Sequence, residues 1–360
     1  MNAILASQQM QFPVLSALIA LPAVGAAVVA LTPSRREDVA KLLGILFSIA
    51  TFAVSIFVMI NFETGAAAAE FQFVDKVSWL KQWDINWFLG VDGISLWLVV
   101  LTGLLFPIGL IGAPVAKNAK AFTAWMLLLE VGCLGTFLSL DLFLFFVMFE
   151  IVLAPMYFLI VGWGYADRKY AATKFYLYTA FGSAFMLIAM ISLVVLNARY
   201  NGGHITFDLV EIANSQAIAQ NTARWLFLGF AIAFAVKMPL FPLHTWLPDT
   251  YTQAPTAGSI IVAGVMAKLG AYGFLRFGVY LFPEAADYFG PLMVTLGVIG
   301  IIYGALGCLA QTDMKRLIAF SSVAHMGYTM LGIATLTPLG FNAAIFGMVA
   351  HGLITGMLFF

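Results

Sequence analysis

Long apolar runs, each about as long as a bilayer is thick, constrain this chain more than any other feature. A transmembrane helix needs about 20 mostly apolar residues, and runs of that length recur along the sequence. Hydrophobic residues make up 62% of the chain and charged residues only 9%, whereas about a quarter of a soluble domain is charged. The composition therefore excludes an ordinary water-soluble enzyme, and it excludes a disordered chain as well.

The apolar runs predict an all-α polytopic membrane protein with about eleven transmembrane helices. The predicted spans are residues 11–31, 42–62, 88–112, 121–140, 142–164, 172–197, 223–247, 257–282, 287–309, 317–336 and 339–360. Strands of a membrane β-barrel alternate apolar and polar residues, and these runs do not alternate. Because no basic residue precedes the first run, we predict no cleavable signal peptide. The last span ends without a polar anchor, so we expect the sequence to be a fragment of a longer chain.

The basic residues of the loops predict an orientation, because cytoplasmic loops carry an excess of Lys and Arg. The loops after the first, third, fifth and ninth spans contain Arg35, Arg36, Lys41, Lys117, Lys120, Arg168, Lys169, Lys174, Lys315 and Arg316. The opposite loops contain Lys76, Lys81, Arg199 and Arg224. This asymmetry places the N-terminus outside. As to which membrane, we expect the plasma membrane of a bacterium, with an energy-transducing organelle membrane as the alternative. The two long outside segments, 63–87 and 198–222, are interpreted as amphipathic connectors.

The charge balance and the cysteines argue against several kinds of partner and site. Lys plus Arg and Asp plus Glu both number 17, so no net field attracts nucleic acid. Cys133 and Cys308 lie in apolar runs without the CxxC spacing of a zinc site. The histidines lack the i, i+4 spacing of a metal-binding helix. We therefore expect neither a nucleic-acid partner nor a metal site.

Several ionisable residues remain inside the predicted spans. They are Glu130, Glu150, Lys237, Lys268, Arg276, His325 and His351. A charge at the membrane centre costs at least a few kcal/mol, so such residues indicate ion or proton paths by default. The alternative for Glu150 is a structural ion pair with a neighbouring lysine, and the alternative for Lys237 is an interfacial anchor. Glu130 could pair locally and Arg276 could extend to an interface, so neither receives a predicted role.

Lys237 is followed at once by residues that break helices. Pro239 and Pro242 each lack a backbone N–H and clash with the preceding turn, so we predict a broken helix beside Lys237, with His244 in the same stretch. Broken helices at mid-depth are tolerated only where protein buries them or a watered cavity runs past them. Combined with a buried cation, the break is typical of an ion path. A simple packing kink is the alternative.

The two histidines in the last spans are candidates for proton transfer. Imidazole takes and releases a proton near neutral pH, and Ser321 and Ser322 precede His325 at a spacing that places them on its helical face. His351 lies in the middle of its span. The alternative, a pair of satisfied buried histidines, stays open.

Several motifs resemble those of the proton-antiporter-like membrane subunits. Residues 238–273 read MPLFPLHTWLPDTYTQAPTAGSIIVAGVMAKLGAYG, which resembles the core signature of that family. The chain also contains LFFVMFEIVLAPMYFLIVGWG, RKYAATKFYLYTAFGS, DMKRLIAFSSVAHMGY and NWFLGVDGISLWLVVLT. Together these narrow the resemblance, over residues 10–360, to the subunit M (chain 4) family of respiratory NADH:quinone oxidoreductase, complex I.

The resemblance implies a subunit of fourteen helices with two inverted five-helix repeats. We therefore expect N-terminal helices in residues 1–120, a first repeat in 121–282 and the start of a second, truncated repeat in 287–360. Glu150, Lys237 and Lys268 would match the charged residues of the first half-channel, and His325 and His351 the polar axis of the second. The family's second broken helix would lie beyond residue 360.

The resemblance also implies a function, namely proton translocation coupled to NADH oxidation and quinone reduction. NADH, FMN, iron–sulfur clusters and quinone would be bound by other subunits, and no cofactor by this chain. Partners would be other membrane-arm subunits, neighbouring antiporter-like subunits among them, and membrane lipid. In the expected mechanism Lys237 holds its proton while Glu150 is close and releases it towards Lys268 and the histidines when Glu150 is drawn away. The alternatives are a subunit of a multisubunit cation/proton antiporter or membrane-bound hydrogenase, and a structural scaffold that does not pump.

Overall fold

The structure, a computed structural model, describes residues 12–65, 68–114, 117–215 and 218–360. Its helices are α1 (Val14–Leu31), α2 (Glu37–Ile60), α3 (Ser95–Gly112), α4 (Ala119–Leu138), α5 (Leu142–Ile151), α6 (Leu153–Trp163), α7 (Arg168–Tyr200), α8 (Leu209–Ser215), α9 (Gln220–Lys237), α10 (Trp246–Gln253), α11 (Thr256–Ile261), α12 (Ala267–Gly273), α13 (Pro283–Leu309), α14 (Met314–Ala334) and α15 (Pro338–Phe359). Two strands, β1 (Gln72–Leu80) and β2 (Ile85–Val91), lie between α2 and α3. Within these ranges, ten helices are long and apolar enough to cross a membrane.

The predicted all-α membrane fold is confirmed, with differences at particular segments. Each predicted span overlaps a helix, although residue 11, where the first was expected to begin, lies outside the described residues. The third span was predicted to start too early, because residues 88–91 belong to β2. The seventh span, predicted at 223–247, is α9, a non-helical stretch and the start of α10. The chain packs as two compact units that divide between Leu159 and Ile160, and the predicted repeat boundaries stay a prediction.

The first unit contains a β-hairpin where the sequence indicated only a connector. β1 and β2 pair antiparallel, with Lys76 opposite Phe88. Asp141, the N-cap of α5, anchors the hairpin, because its carboxylate accepts the backbone N–H of Asn86 at 2.9 Å as well as two N–H groups of its own helix. Capping the helix end and the strand with one carboxylate satisfies backbone donors that would otherwise be buried without partners.

The second unit is built around the helices that follow Ile160. α9 packs on α7 and on α12, α10 packs on α7 and α14, and α14 packs on α13 and α15. Two π-helical segments, Val262–Met266 and Phe274–Val279, flank α12. Gly270 lets α12 approach the last turn of α9, because a Cβ there would lie 2.6 Å from the carbonyl oxygen of Phe234. The helix that carries Lys268 is therefore fixed directly against the broken end of α9.

Candidate functional site

The predicted helix break lies directly after Lys237. α9 ends at Lys237 and α10 begins at Trp246, so the stretch that contains Pro239 and Pro242 is non-helical. The indole Nε1 of Trp246 donates to the carbonyl oxygen of Val236 at 2.9 Å. This bond provides a partner for a carbonyl that the break removes from the helical ladder. The side chain that follows the break therefore stabilises the helix end that precedes it.

Two ionisable side chains are buried at this break. Lys237 is only 1% exposed, so its ammonium group cannot reach an interface. His244 is also buried, with its ring 5.7 Å from that of Phe241 and 4.9 Å from that of Tyr303. The position of Lys237 agrees with the predicted buried cation and not with an interfacial anchor.

Lys268 and His351 form the centre of a hydrogen-bonded row inside the second unit. The Nζ of Lys268 lies 2.6 Å from Nδ1 of His351, and it donates as well to the carbonyl oxygen of Ala263 in the first π-helical segment. The other ring nitrogen of His351, Nε2, lies 3.1 Å from the hydroxyl of Ser322. Lys268, His351 and Ser322 are all buried. We call these three residues, with His325 beside them, the Lys268 row.

The Lys268 row can exist in two protonation arrangements. A charged Lys268 has only donors, so His351 must then accept at Nδ1 and donate from Nε2 to Ser322. If Lys268 is a neutral amine, Nδ1–H of His351 can donate to Nζ, and Nε2 can then accept from Ser322. A proton that arrives at Nε2 and another that leaves from Nδ1 convert the second arrangement into the first. The geometry would allow a proton relay, because imidazole can exchange a proton at one nitrogen for a proton at the other.

The ring of His325 lies beside the ring of His351. Its centroid lies 5.2 Å from that of His351, in a tilted arrangement. Ser322, which was predicted to share a helical face with His325, hydrogen-bonds His351, 29 residues further along the chain. The sequence shows no periodicity that links residues on different helices, so only the packing of α14 on α15 could reveal this pair.

Glu150 lies in the first unit, one residue before the end of α5, and its side chain is partly exposed. Lys237 belongs to the second unit. The expected pairing of these two residues therefore stays a prediction.

Glu130 and Arg276, which received no predicted role, are both buried. Glu130 on α4 is fully enclosed, and the hydroxyl of Ser48 on α2 donates to its Oε1 at 3.2 Å.

The sequence left open that Arg276 extends to an interface, but in the structure its side chain is buried. It is 2% exposed, and its Nε donates to the hydroxyl of Tyr272 at 3.3 Å. Its guanidinium also lies near the rings of Tyr272 and Tyr280. The aromatic neighbours explain why the charge stays inside, since a ring face attracts a cation.

Comparison with known proteins identifies similar sequences and a similar structure. Residues 139–360 match the family described as NADH:quinone oxidoreductase/Mrp antiporter, TM. The chain is 41% identical over 351 residues to NAD(P)H-quinone oxidoreductase chain 4 3 of Trichormus variabilis, covering 97% of this chain and 64% of that protein. It is 41% identical over 355 residues to NADH-quinone oxidoreductase subunit M of Rickettsia prowazekii, with 97% and 71% covered. A chain of respiratory complex I from Thermus thermophilus with bound NADH superimposes with a TM-score of 0.84 at 31% identity, with 97% and 70% covered. The chain thus spans less than two thirds of the Trichormus relative.

Proposed function

This chain belongs to the NADH:quinone oxidoreductase/Mrp antiporter transmembrane family, and we propose that it is a proton-translocating subunit in the membrane arm of an NADH:quinone oxidoreductase. The observation that carries the proposal is the Lys268 row. A lysine, an imidazole and a hydroxyl stand in hydrogen-bond contact inside apolar helices. Buried polar groups of this kind are costly in a membrane and are retained where they perform a function.

The energetic demand on such a row is modest. Moving one charge through the whole of a potential of about 150 mV needs roughly 3.5 kcal/mol. A change of about two to three pKa units in the proton affinity of one group supplies that amount, since each unit is about 1.4 kcal/mol. Gain or loss of one neighbouring charge produces a change of this size in a buried site.

Lys237 would be the group whose proton affinity changes during pumping, and the carboxylate of Glu150 would be the group that changes it. In this scheme a carboxylate near Lys237 stabilises the ammonium, and its withdrawal favours release towards the Lys268 row. Glu150→Gln keeps the size of the side chain and removes its charge. It should therefore reduce pumping strongly in an assembled complex, while Glu150→Asp should do less harm. Equal pumping by the Gln variant and the wild type would remove Glu150 from the mechanism.

Redox chemistry would take place in other subunits. We propose that these bind NADH, FMN, iron–sulfur clusters and quinone, and that this chain contacts neighbouring membrane-arm subunits and lipid. The membrane would be the plasma membrane of a bacterium, with the N-terminus outside. A place in a cation/proton antiporter or a membrane-bound hydrogenase is the second candidate, because the family description also names the Mrp antiporter.

The experiment that tests the proposal uses His325→Ala, His351→Ala and the double variant in the full complex. Membrane vesicles are given NADH, proton uptake is followed with a pH-gradient dye, and NADH oxidation by an artificial acceptor is the control. The double variant should lose more uptake than the two single variants combined, because water can replace one imidazole more readily than two neighbouring ones. Unchanged uptake in all three variants would support the structural scaffold instead.

A further inference from the structure

A buried tyrosine extends the Lys268 row towards the end of α10. Tyr251 on α10 is fully buried, and its ring packs edge-on against that of Phe359 with centroids 5.5 Å apart. Its hydroxyl approaches the hydroxyl of Ser322. In the part of the chain that the structure describes, no partner bonds this hydroxyl with full hydrogen-bond geometry. A phenol enclosed in this way retains both a donor and an acceptor for transfer.

More polar groups continue from Tyr251 to the start of α14. The backbone carbonyl of Tyr251 accepts the hydroxyl of Ser259 at 2.9 Å. The ammonium of Lys315 lies 3.4 Å from the same Ser259 hydroxyl and donates to the carbonyl oxygen of Ala254 at 3.0 Å. Lys315 is the second residue of α14 and is partly exposed. Polar atoms therefore lie at intervals between a helix end that solvent can reach and the ring nitrogen of His351; the Ser259 bond reaches the backbone of Tyr251 and not its hydroxyl, so water would carry the proton across that gap.

We propose that Tyr251 is a further proton-relay residue, whose hydroxyl connects the Lys268 row, through Ser322, to the polar groups at the end of α10. The proposal rests on the proposed function and adds a residue and a direction of entry to it. Phenol and serine hydroxyls can each accept one proton while they donate another, so neither needs to become ionised for long.

The transfer is balanced when it begins with Lys268 as a neutral amine. Water at the end of α10 gives a proton to the oxygen of Tyr251, and the original hydroxyl proton of Tyr251 moves to Ser322. The original proton of Ser322 moves to Nε2 of His351, whose Nδ1 proton passes to Lys268. Lys268 becomes an ammonium, Tyr251 and Ser322 are again neutral hydroxyls, and the water is left as hydroxide that takes up a proton from the bulk.

The test compares Tyr251→Phe, Ser322→Ala and the double variant in the full complex. Tyr251→Phe removes one oxygen and keeps the ring against Phe359. We expect about fivefold slower NADH-driven proton uptake, which corresponds to a barrier higher by about 1 kcal/mol when one relay hydroxyl is missing from the transfer path. Because Tyr251 acts through Ser322, the double variant should be no slower than Ser322→Ala alone. The matched control is Tyr178→Phe, which also loses a phenol hydroxyl, bonded to Thr245 at 2.6 Å, outside the row; it should pump like the wild type.

Each outcome decides the proposal. Wild-type uptake by Tyr251→Phe, or losses that multiply in the double variant, would overturn the relay role of Tyr251. If that happens while Lys268→Met still abolishes pumping, only this inference fails; if Lys268→Met pumps normally, the proposed function fails with it. Should Tyr251→Phe not assemble, a difluorotyrosine at position 251 keeps the ring and the hydroxyl and changes only the acidity. A changed uptake rate would then support the relay, and an unchanged rate would contradict it.

Discussion

Replacement of Lys268 by methionine should separate stability from proton transfer. Methionine is unbranched and fills a similar volume, but it has no proton to give. The change leaves the carbonyl oxygen of Ala263 and Nδ1 of His351 without the partner that contacts them in the structure. Leaving a buried acceptor without a donor lowers the free energy of unfolding by about 1–3 kcal/mol. It also removes a buried ammonium whose desolvation costs several kcal/mol.

These two effects have similar size and opposite sign, so we expect the free energy of unfolding to change by no more than about 2 kcal/mol. Proton uptake should fall at least about tenfold, because the centre of the relay has lost its titrating group. The assay is NADH-driven uptake in vesicles, with assembly checked on a native gel and redox activity checked with an artificial acceptor. A Lys268→Met complex that assembles and pumps at the wild-type rate would refute the relay.

Substitutions at two further positions, Trp246 and Glu130, test the surroundings of the row and the first unit. Trp246→Phe removes the indole donor that bonds the carbonyl of Val236. The stability of the complex should therefore fall by about 1–2 kcal/mol, measured as inactivation at a lower temperature. An unchanged inactivation temperature would mean that water replaces the indole. Glu130→Gln keeps an acceptor for the hydroxyl of Ser48 and should be nearly neutral, whereas Glu130→Ala should cost about 2 kcal/mol or more because it leaves a cavity and an unpaired hydroxyl. The reverse order of the two Glu130 variants in a thermal-stability assay would contradict the local-pairing role.

The membrane helices and the break could be predicted from the sequence because both depend on local rules. Span length follows from bilayer thickness, which is the same for every helix. The break was predicted from Pro239 and Pro242, two helix-disfavouring residues close together, each of which removes a backbone donor; single prolines such as Pro22 and Pro107 are accommodated inside helices. The break beside Lys237 was therefore predicted before any packing was known, although the seventh span was expected to continue to residue 247 and α9 ends at Lys237.

The contacts of the row could not be predicted, because they depend on how helices pack. The bond between His351 and Ser322 joins two helices. Residue spacing within one helix does not predict contacts between helices. The contact of Lys268 with Ala263 links residues five apart and coincides with a π-helical segment, which has no simple sequence signal. For Arg276 the sequence left an interfacial position open, and in the structure the side chain is buried beside aromatic rings. The hairpin of β1 and β2 was missed because a short amphipathic segment is equally compatible with a connector.

The most direct test of the central claim, that buried lysines act by binding and releasing protons, is NADH-driven proton uptake by vesicles that carry Lys237→Arg. Arginine keeps a positive charge in place, but its guanidinium does not release a proton in proteins. A titrating Lys237 therefore predicts that Lys237→Arg loses pumping as Lys237→Ala does, while both complexes assemble and oxidise NADH with an artificial acceptor. Full pumping by the arginine variant would contradict the account and would leave Lys237 as a structural cation, since arginine pairs with carboxylates at least as well as lysine.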